Sequence, residues 1–342
     1  MIHGITLVAS FALAALLTPL VRKMAISFQV VDRPGPRKIH STPTPLLGGL
    51  AVYGSFTLTV IGLWFFGYVK DGRISLSSIY VLLVSGAVLM IGGYLDDRYQ
   101  LKPVQQFIFP LLAVIFVIAS GIRVQFVTNP LGGILHIPAL LGLVVAFLWL
   151  LGMSYTTKFL DGLDGLTSGI TAIGSIAIFF VSLLWDVPGS ATSYLALALA
   201  GSCLGFLVFN WHPAKIFLGE GGSVFCGFVL GVLSIISGSK IATALLVMGI
   251  PILDVAWVII RRMWQGSSPT VADRKHLHFR LFDAGLSHRQ VVILLYLLTA
   301  SFGSVSLLLS SGGKVMALAA MVGVMIVLAG IVVVLYKKRS PQ

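Results

Sequence analysis

An all-α, polytopic membrane fold of about eleven transmembrane helices is predicted by three features: composition, the length of the apolar runs, and the placement of basic residues. Of the 342 residues, 57% are hydrophobic and only 10% charged, with a mean hydropathy of +1.01. No soluble globular domain approaches that balance. The whole chain, 1–342, reads as a single polytopic domain.

A bilayer core takes about 20 apolar residues per helix. Spans are expected at 2–21, 47–68, 77–95, 105–121, 138–153, 166–185, 191–209, 223–237, 240–260, 290–310 and 315–336. The first run lacks a strong basic flank and a small-residue cleavage site, so it reads as a retained span and not a signal peptide. Cys203 and Cys226 both fall inside apolar runs, where a thiol acts as a small hydrophobe, and no disulfide framework follows.

Basic residues set the orientation. With the N-terminus outside and the C-terminus inside, 18 of the 23 Lys and Arg residues fall on the cytoplasmic side. The net charge of +12 lies in loops beside the membrane. That placement points to membrane lipid and phosphorylated substrates, with no nucleic acid. On the outer side Val124–Pro138 flanks Asn129-Pro130-Leu131-Gly132-Gly133 with alternating apolar residues, a small β-hairpin signal.

The five inner loops carry the chemistry. Loop one holds Arg37, Lys38 and His40 among prolines that stiffen it, suiting phosphate recognition or a plain topogenic role. Loop two offers Asp96-Asp97; adjacent carboxylates repel, so both stay ionised only beside a cation or with shared protons. Loop three reads Asp161-Gly162-Leu163-Asp164-Gly165; if helical, it sets both acids on one face, with glycines leaving room for a ligand. Loop four, through Lys215, Phe217, Gly219 and Glu220, opens a Gly-rich helix start that favours an anion, with Glu220 suited to a hard cation. Loop five carries Arg274, Lys275, His276, His278 and Arg280, donors for phosphate oxygens; without a cysteine the two histidines make a poor zinc site. Asp254 lies inside the ninth span, where it suits tying that span to a neighbour. Carboxylates for a hard cation and basic groups for a polyanion, on one face, describe Mg²⁺-dependent handling of a phosphorylated substrate.

Arg37-Lys38-x-His40 with Pro45-x-x-Gly48-Gly49, Gly92-x-x-x-Asp96-Asp97, the Asp161–Gly165 run, Pro213-Ala214-Lys215-x-Phe217-x-Gly219, Asp254 with Arg261-Arg262, and Ala272-Asp273-Arg274-x-His276-Leu277-His278 resemble, in order, a known family. It is that of the polyprenyl-phosphate N-acetylhexosamine-1-phosphate transferases, glycosyltransferase family 4. The single His-x-His is similar to the undecaprenyl-phosphate GlcNAc-1-phosphate branch, which primes teichoic acid, O-antigen (lipopolysaccharide) and similar cell-wall glycans. The resemblance implies eleven helices in a bacterial cell membrane, a cytoplasmic active site, Mg²⁺ with Mn²⁺ as a substitute, and a homodimer. It also implies transfer of a sugar 1-phosphate from a UDP-N-acetylhexosamine to undecaprenyl phosphate, with release of UMP.

By the same resemblance Asp96 and Asp97 sit at the lipid phosphate, Asp96 as base or phosphate orienter. Asp161 and Asp164 hold the nucleotide and, with Glu220, the metal. Phe217 stacks on uracil, beside Lys215 and Gly219. His276 and His278 meet the pyrophosphate or sugar, and Arg37, Lys38, His40 and Arg274 face phosphate. The chain departs from the family pattern where Glu220 replaces Asp, Tyr155 and Lys158 replace two Asn, Phe279 replaces a His and Leu46 replaces an Arg. Two alternatives therefore stand beside the active transferase: the same fold with altered donor or metal use, or an inactive binding protein. A transporter of a phosphorylated solute is disfavoured by the near absence of polar residues in mid-span.

Overall fold

The computed structural model describes residues 1–35, 42–69, 76–129, 132–186, 189–237, 240–266 and 276–339. Ten of its helices are long and apolar enough to cross a membrane. These are α1 (Ile2–Ser27), α2 (Gly48–Phe65), α3 (Leu76–Tyr99), α5 (Ala139–Leu160), α6 (Leu166–Trp185), α7 (Ala191–Asn210), α8 (Gly219–Ile236), α9 (Ile241–Trp264), α11 (His288–Leu308) and α12 (Ser311–Arg339). The apolar 17-residue α4 (Pro103–Ala119) stands where the fourth span is expected, so all eleven have a counterpart. A seven-residue helix, α10 (Leu277–Asp283), was not foreseen.

Helix ends differ from the expected spans in a way that matters for the site. Hydrophobicity marks only the stretch that needs hydrocarbon, whereas a helix continues as long as its backbone bonds can be made. Thus α3 runs on to Tyr99 and carries Asp96 and Asp97, α5 runs on to Leu160 and carries Lys158, and α9 runs on past Arg261 and Arg262. At the other end, α8 starts at Gly219 and includes Glu220 in its first turn.

The core lies around α7 and α8, whose apolar windows are 78% and 83% buried against 22% for α1 and 17% for α12. Small residues explain the centre. Gly201 and Gly205 of α7 face the backbone of α1 so closely that a methyl group at either would overlap it. Without a hydrophobic drive between helices in lipid, close packing of this sort holds a bundle together. The peripheral helices turn Leu16, Leu20, Ile326 and Val327 outward, as a lipid-facing surface requires.

Two small antiparallel ribbons complete the fold. β1 (Val31–Asp32) pairs with β2 (Thr44–Pro45), and β3 (Phe126–Thr128) pairs with β4 (Ile134–His136) as the expected hairpin. The hairpin joins the ends of α4 and α5 that lie away from Gln106 and Lys158.

Candidate active site

Three glycine pairs in the sequence bring the acidic residues together. Gly49 of α2 lies against Gly222 of α8, and Gly93 of α3 lies against Gly221; added side chains would collide with backbone at each crossing. Glycine here serves backbone against backbone. Loop four is pinned to the start of α2 by Gly48 N–H donating to Phe217 O at 2.9 Å and Gly49 N–H to Leu218 O at 2.7 Å. Gly219 takes a left-handed φ of 77°, and a side chain there would run into the Asp97 carboxylate.

This convergence fixes the carboxyl group at the start of α8. Asp97 Oδ1 accepts the Glu220 backbone N–H at 3.2 Å. The Gly-rich helix start is thus met by a carboxyl group from within the chain. Asp96 Oδ1 accepts from Leu101 N–H and from Gln106 Nε2, both at 2.9 Å. The Gln106 oxygen in turn accepts from Lys158 Nζ at 3.0 Å, and that ammonium lies 2.5 Å from Glu220 Oε1. Lys158 also lies 5.4 Å from the centre of the Tyr155 ring. Three departures from the family pattern, Tyr155, Lys158 and Glu220, thus meet at one ammonium.

The Asp161–Gly165 run is a turn between α5 and α6, not a helix, and both of its acids line one cavity. Gly165 at the start of α6 adopts φ 79°, which ends any continuous helix. Asp164 Oδ2 is 2.6 Å from His212 Nδ1 and accepts Ala214 N–H at 3.1 Å. Asp161 opens into the cavity and is exposed along it. Desolvation by the protein around the carboxyl, reinforced by the Glu220 and Asp164 charges, pushes it up to about 7. Beneath the turn, buried Asn210 accepts from Gly165 N–H and Ser168 Oγ and donates to Ile216 O.

These groups line a cavity of about 630 Å³. Asp96, Asp97, Asp161, Asp164, Lys158 and Glu220 share it with Phe217, Gly219, Asn210, His212, Phe279 and His288. Lys215 is exposed beside it and is not among the lining residues. His276 and His278 are buried behind the turn and do not line the cavity either: His276 Nδ1 lies 2.9 Å from Asp254, which also accepts Leu277 N–H at 2.8 Å, and His278 packs against Gly162. Asp254 therefore does tie its span to a neighbour. Burial, with His276 and His288 nearby, pushes the His278 imidazole down to about 3. Arg37, Lys38, His40 and Arg274 lie outside the described residues.

The residues present do not form the ion-binding set that the family pattern implies. The Glu220 carboxylate is taken by Lys158 and that of Asp164 by His212. Among the described residues, the trio with metal-ligating atoms within 4.8 Å of one another is Asp164, His212 and His288, not Asp161, Asp164 and Glu220. The rings of His212 and His288 stack at 4.0 Å. Sequence reading passed over Gln106, Asn210, His212 and His288. Each is a polar residue at the end of an apolar helix or just beyond it, the one signal that could have singled it out.

Apolar helices that close over an acid-lined polar cavity at one end define an integral-membrane protein built to take a charged head group. The chain belongs to glycosyl transferase family 4, whose family model matches residues 79–238. It is 34% identical to a decaprenyl-phosphate N-acetylglucosaminephosphotransferase of Mycolicibacterium smegmatis, over 95% of this chain and 86% of that one. It is 31% identical to a Bacillus subtilis protein named "Probable undecaprenyl-phosphate N-acetylglucosaminyl 1-phosphate transferase", over 90% of this chain and 85% of that one. An undecaprenyl-phosphate alpha-N-acetylglucosaminyl 1-phosphate transferase of Escherichia coli K12 is 28% identical, over 88% and 82%.

Proposed function

We propose that this protein transfers N-acetylglucosamine 1-phosphate from a UDP-sugar to undecaprenyl phosphate, releasing UMP, at the cytoplasmic face of a bacterial membrane. The observation that carries the reading is the single cavity in which Asp96, Asp97, Asp161, Lys158 and Phe217 meet. The names of the relatives, which act on polyprenyl phosphate and N-acetylglucosamine phosphate, support it. So does the bias of basic residues toward the side that holds the cavity.

In this reading an oxygen of the lipid phosphate attacks the β-phosphorus, a new P–O bond forms, and the bond to UMP breaks. Phe217 offers a face to the base. Asp161, with a carboxyl near 7, is matched to hold or take the lipid phosphate proton at neutral pH. Asp96 has one oxygen bound to Leu101 and Gln106, which suits it to positioning. No step is routed through a divalent ion, because Glu220 is already engaged.

The test is incubation of the purified protein in detergent with UDP-GlcNAc and undecaprenyl phosphate, in EDTA and in Mg²⁺. UMP formed one-to-one with a lipid pyrophosphoryl sugar is the expected result. Absence of lipid product in both conditions, or release of UDP in place of UMP, would overturn the reading.

A further inference from the structure

One cation in the acidic end of the cavity belongs to the chain itself. Lys158 extends from the last turn of α5, and its Nζ is held by Glu220 Oε1 at 2.5 Å and Gln106 Oε1 at 3.0 Å. Both ion-pair side chains are 17% exposed, so the pair is largely shielded from solvent yet open to the cavity. Asp96, reached through Gln106, and Asp97, at the Glu220 N–H, are two further carboxyl groups of this cluster.

The chemistry of the pair explains why the two residues occur together. The extra methylene of Glu220, relative to Asp, carries its carboxylate outward, and there it meets an ammonium that an Asn at 158 would not supply. A divalent ion binding to Glu220 would have to displace Lys158, leaving an ammonium beside two added positive charges in a half-buried site. Removing either partner alone would leave an uncompensated charge, so the pair behaves as a unit.

We propose that Lys158 is the resident cation of this site, and that turnover proceeds without a divalent ion at Glu220. The proposal rests on the transferase reading above. In it Lys158 acts by its charge alone. Its charge offsets that on the pyrophosphate oxygens as the P–O bond to UMP breaks, and no proton or electron pair passes through it.

The experiment uses the full-length protein in detergent with four sequences: unmodified, Lys158→Asn, Glu220→Asp, and the double variant. Two readouts are taken, Mn²⁺ binding by the paramagnetic resonance of the free ion, and UMP release in EDTA or Mg²⁺. The unmodified protein is expected to bind no stoichiometric Mn²⁺ at this site and to turn over equally in both media. Lys158→Asn in EDTA should lose about a hundredfold in turnover, the cost of removing one aimed charge from a transition state. The double variant should gain one Mn²⁺ per chain and become Mg²⁺-dependent.

Stoichiometric Mn²⁺ binding by the unmodified protein that disappears in Glu220→Gln would overturn the proposal. Turnover of the unmodified protein abolished by EDTA and restored by Mg²⁺ would do the same, as would failure of a double variant with unchanged melting temperature to gain the ion. If no sequence releases UMP in either medium, the transferase reading falls. Mn²⁺ binding by the double variant and not by the unmodified protein would then still uphold Lys158 as the resident cation.

Discussion

The Asp164 carboxylate sits 2.6 Å from Nδ1 of His212 and at the same time accepts the Ala214 backbone N–H at 3.1 Å. One side chain thus fastens the α7–α8 loop, which carries Phe217, to the turn that carries Asp161. Replacement by Ala leaves the loop N–H and the imidazole without that partner. Because His212 is about a third exposed, water offsets part of the loss, and a cost near the lower end of about 1–3 kcal/mol is expected. Asp164→Asn keeps an acceptor for Ala214 and should cost less. Thermal unfolding in detergent, together with KM for the UDP-sugar, checks both; equal melting temperatures for the Ala variant and the unmodified protein would contradict this role.

Helix crossings offer a second prediction. A methyl group on Gly93 would overlap the backbone of Gly221, where neither helix can yield by rotating a side chain. Gly93→Ala should cost about 1–3 kcal/mol, as overpacking does. It should also lower turnover, since the α3–α8 distance sets the Asp97 contact with Glu220 N–H. Gly62→Ala, inside α2 with nothing within 4 Å of an added methyl, is the control and should lower neither quantity.

The spans were legible in the sequence because crossing a bilayer is a local demand, met residue by residue in each apolar run. The site was legible only as a set of charged residues. Asp97 and Glu220 meet across 123 residues of chain, and no periodicity reports such a distance. The packing role of Gly49, Gly93, Gly221 and Gly222 was illegible for the same reason: it shows only once the helices they join are known. The Asp161–Asp164 spacing suggested a shared helical face, but α5 ends at Leu160 and the two acids reach the cavity from a turn. Lys158 stood out in the sequence as a departure from the family pattern; its bond to Glu220 needed α5 and α8 side by side.

Burial of His278 makes stability depend on pH. Its folded-state value of about 3 lies well below the ordinary 6.5, so the unfolded chain binds the extra proton between those limits. The stabilisation is complete above about 6.5 and is lost as pH falls toward 3, by on the order of 1 kcal/mol per pH unit. His278→Gln, which does not titrate, should flatten the fall. Melting temperatures measured in detergent from about pH 7 to 5 test it; parallel curves for the two proteins would refute it.

Asp161 carries the opposite sign. Raised from 3.8 to about 7, its carboxyl favours the folded state when protonated; that contribution is full below about 3.8 and is lost as pH rises to about 7. Asp161→Asn should therefore melt higher than the unmodified protein above neutrality. Its activity should fall about 10²–10⁴-fold, the usual range for loss of a general base. In the unmodified protein the rate of UMP release should climb with pH and level off above about 7. A flat profile, or an Asn variant with the same rising limb, would remove Asp161 from proton transfer.

Phe217 separates donor binding from chemistry. Its backbone is locked on both sides, the N–H to Pro45 O at 2.8 Å and the carbonyl to Gly48 N–H at 2.9 Å, so a side-chain change leaves the loop in place. If its ring carries the base, Phe217→Ala should forfeit about 1–3 kcal/mol of stacking, or roughly 5–150-fold in affinity. Phe217→Tyr should retain most of it. Loss on truncation is expected in KM for the UDP-sugar and in UMP affinity by titration calorimetry, with kcat nearly unchanged, because a contact made equally in ground and transition states does not alter the chemical step. A drop confined to kcat would instead put Phe217 at the reacting phosphates.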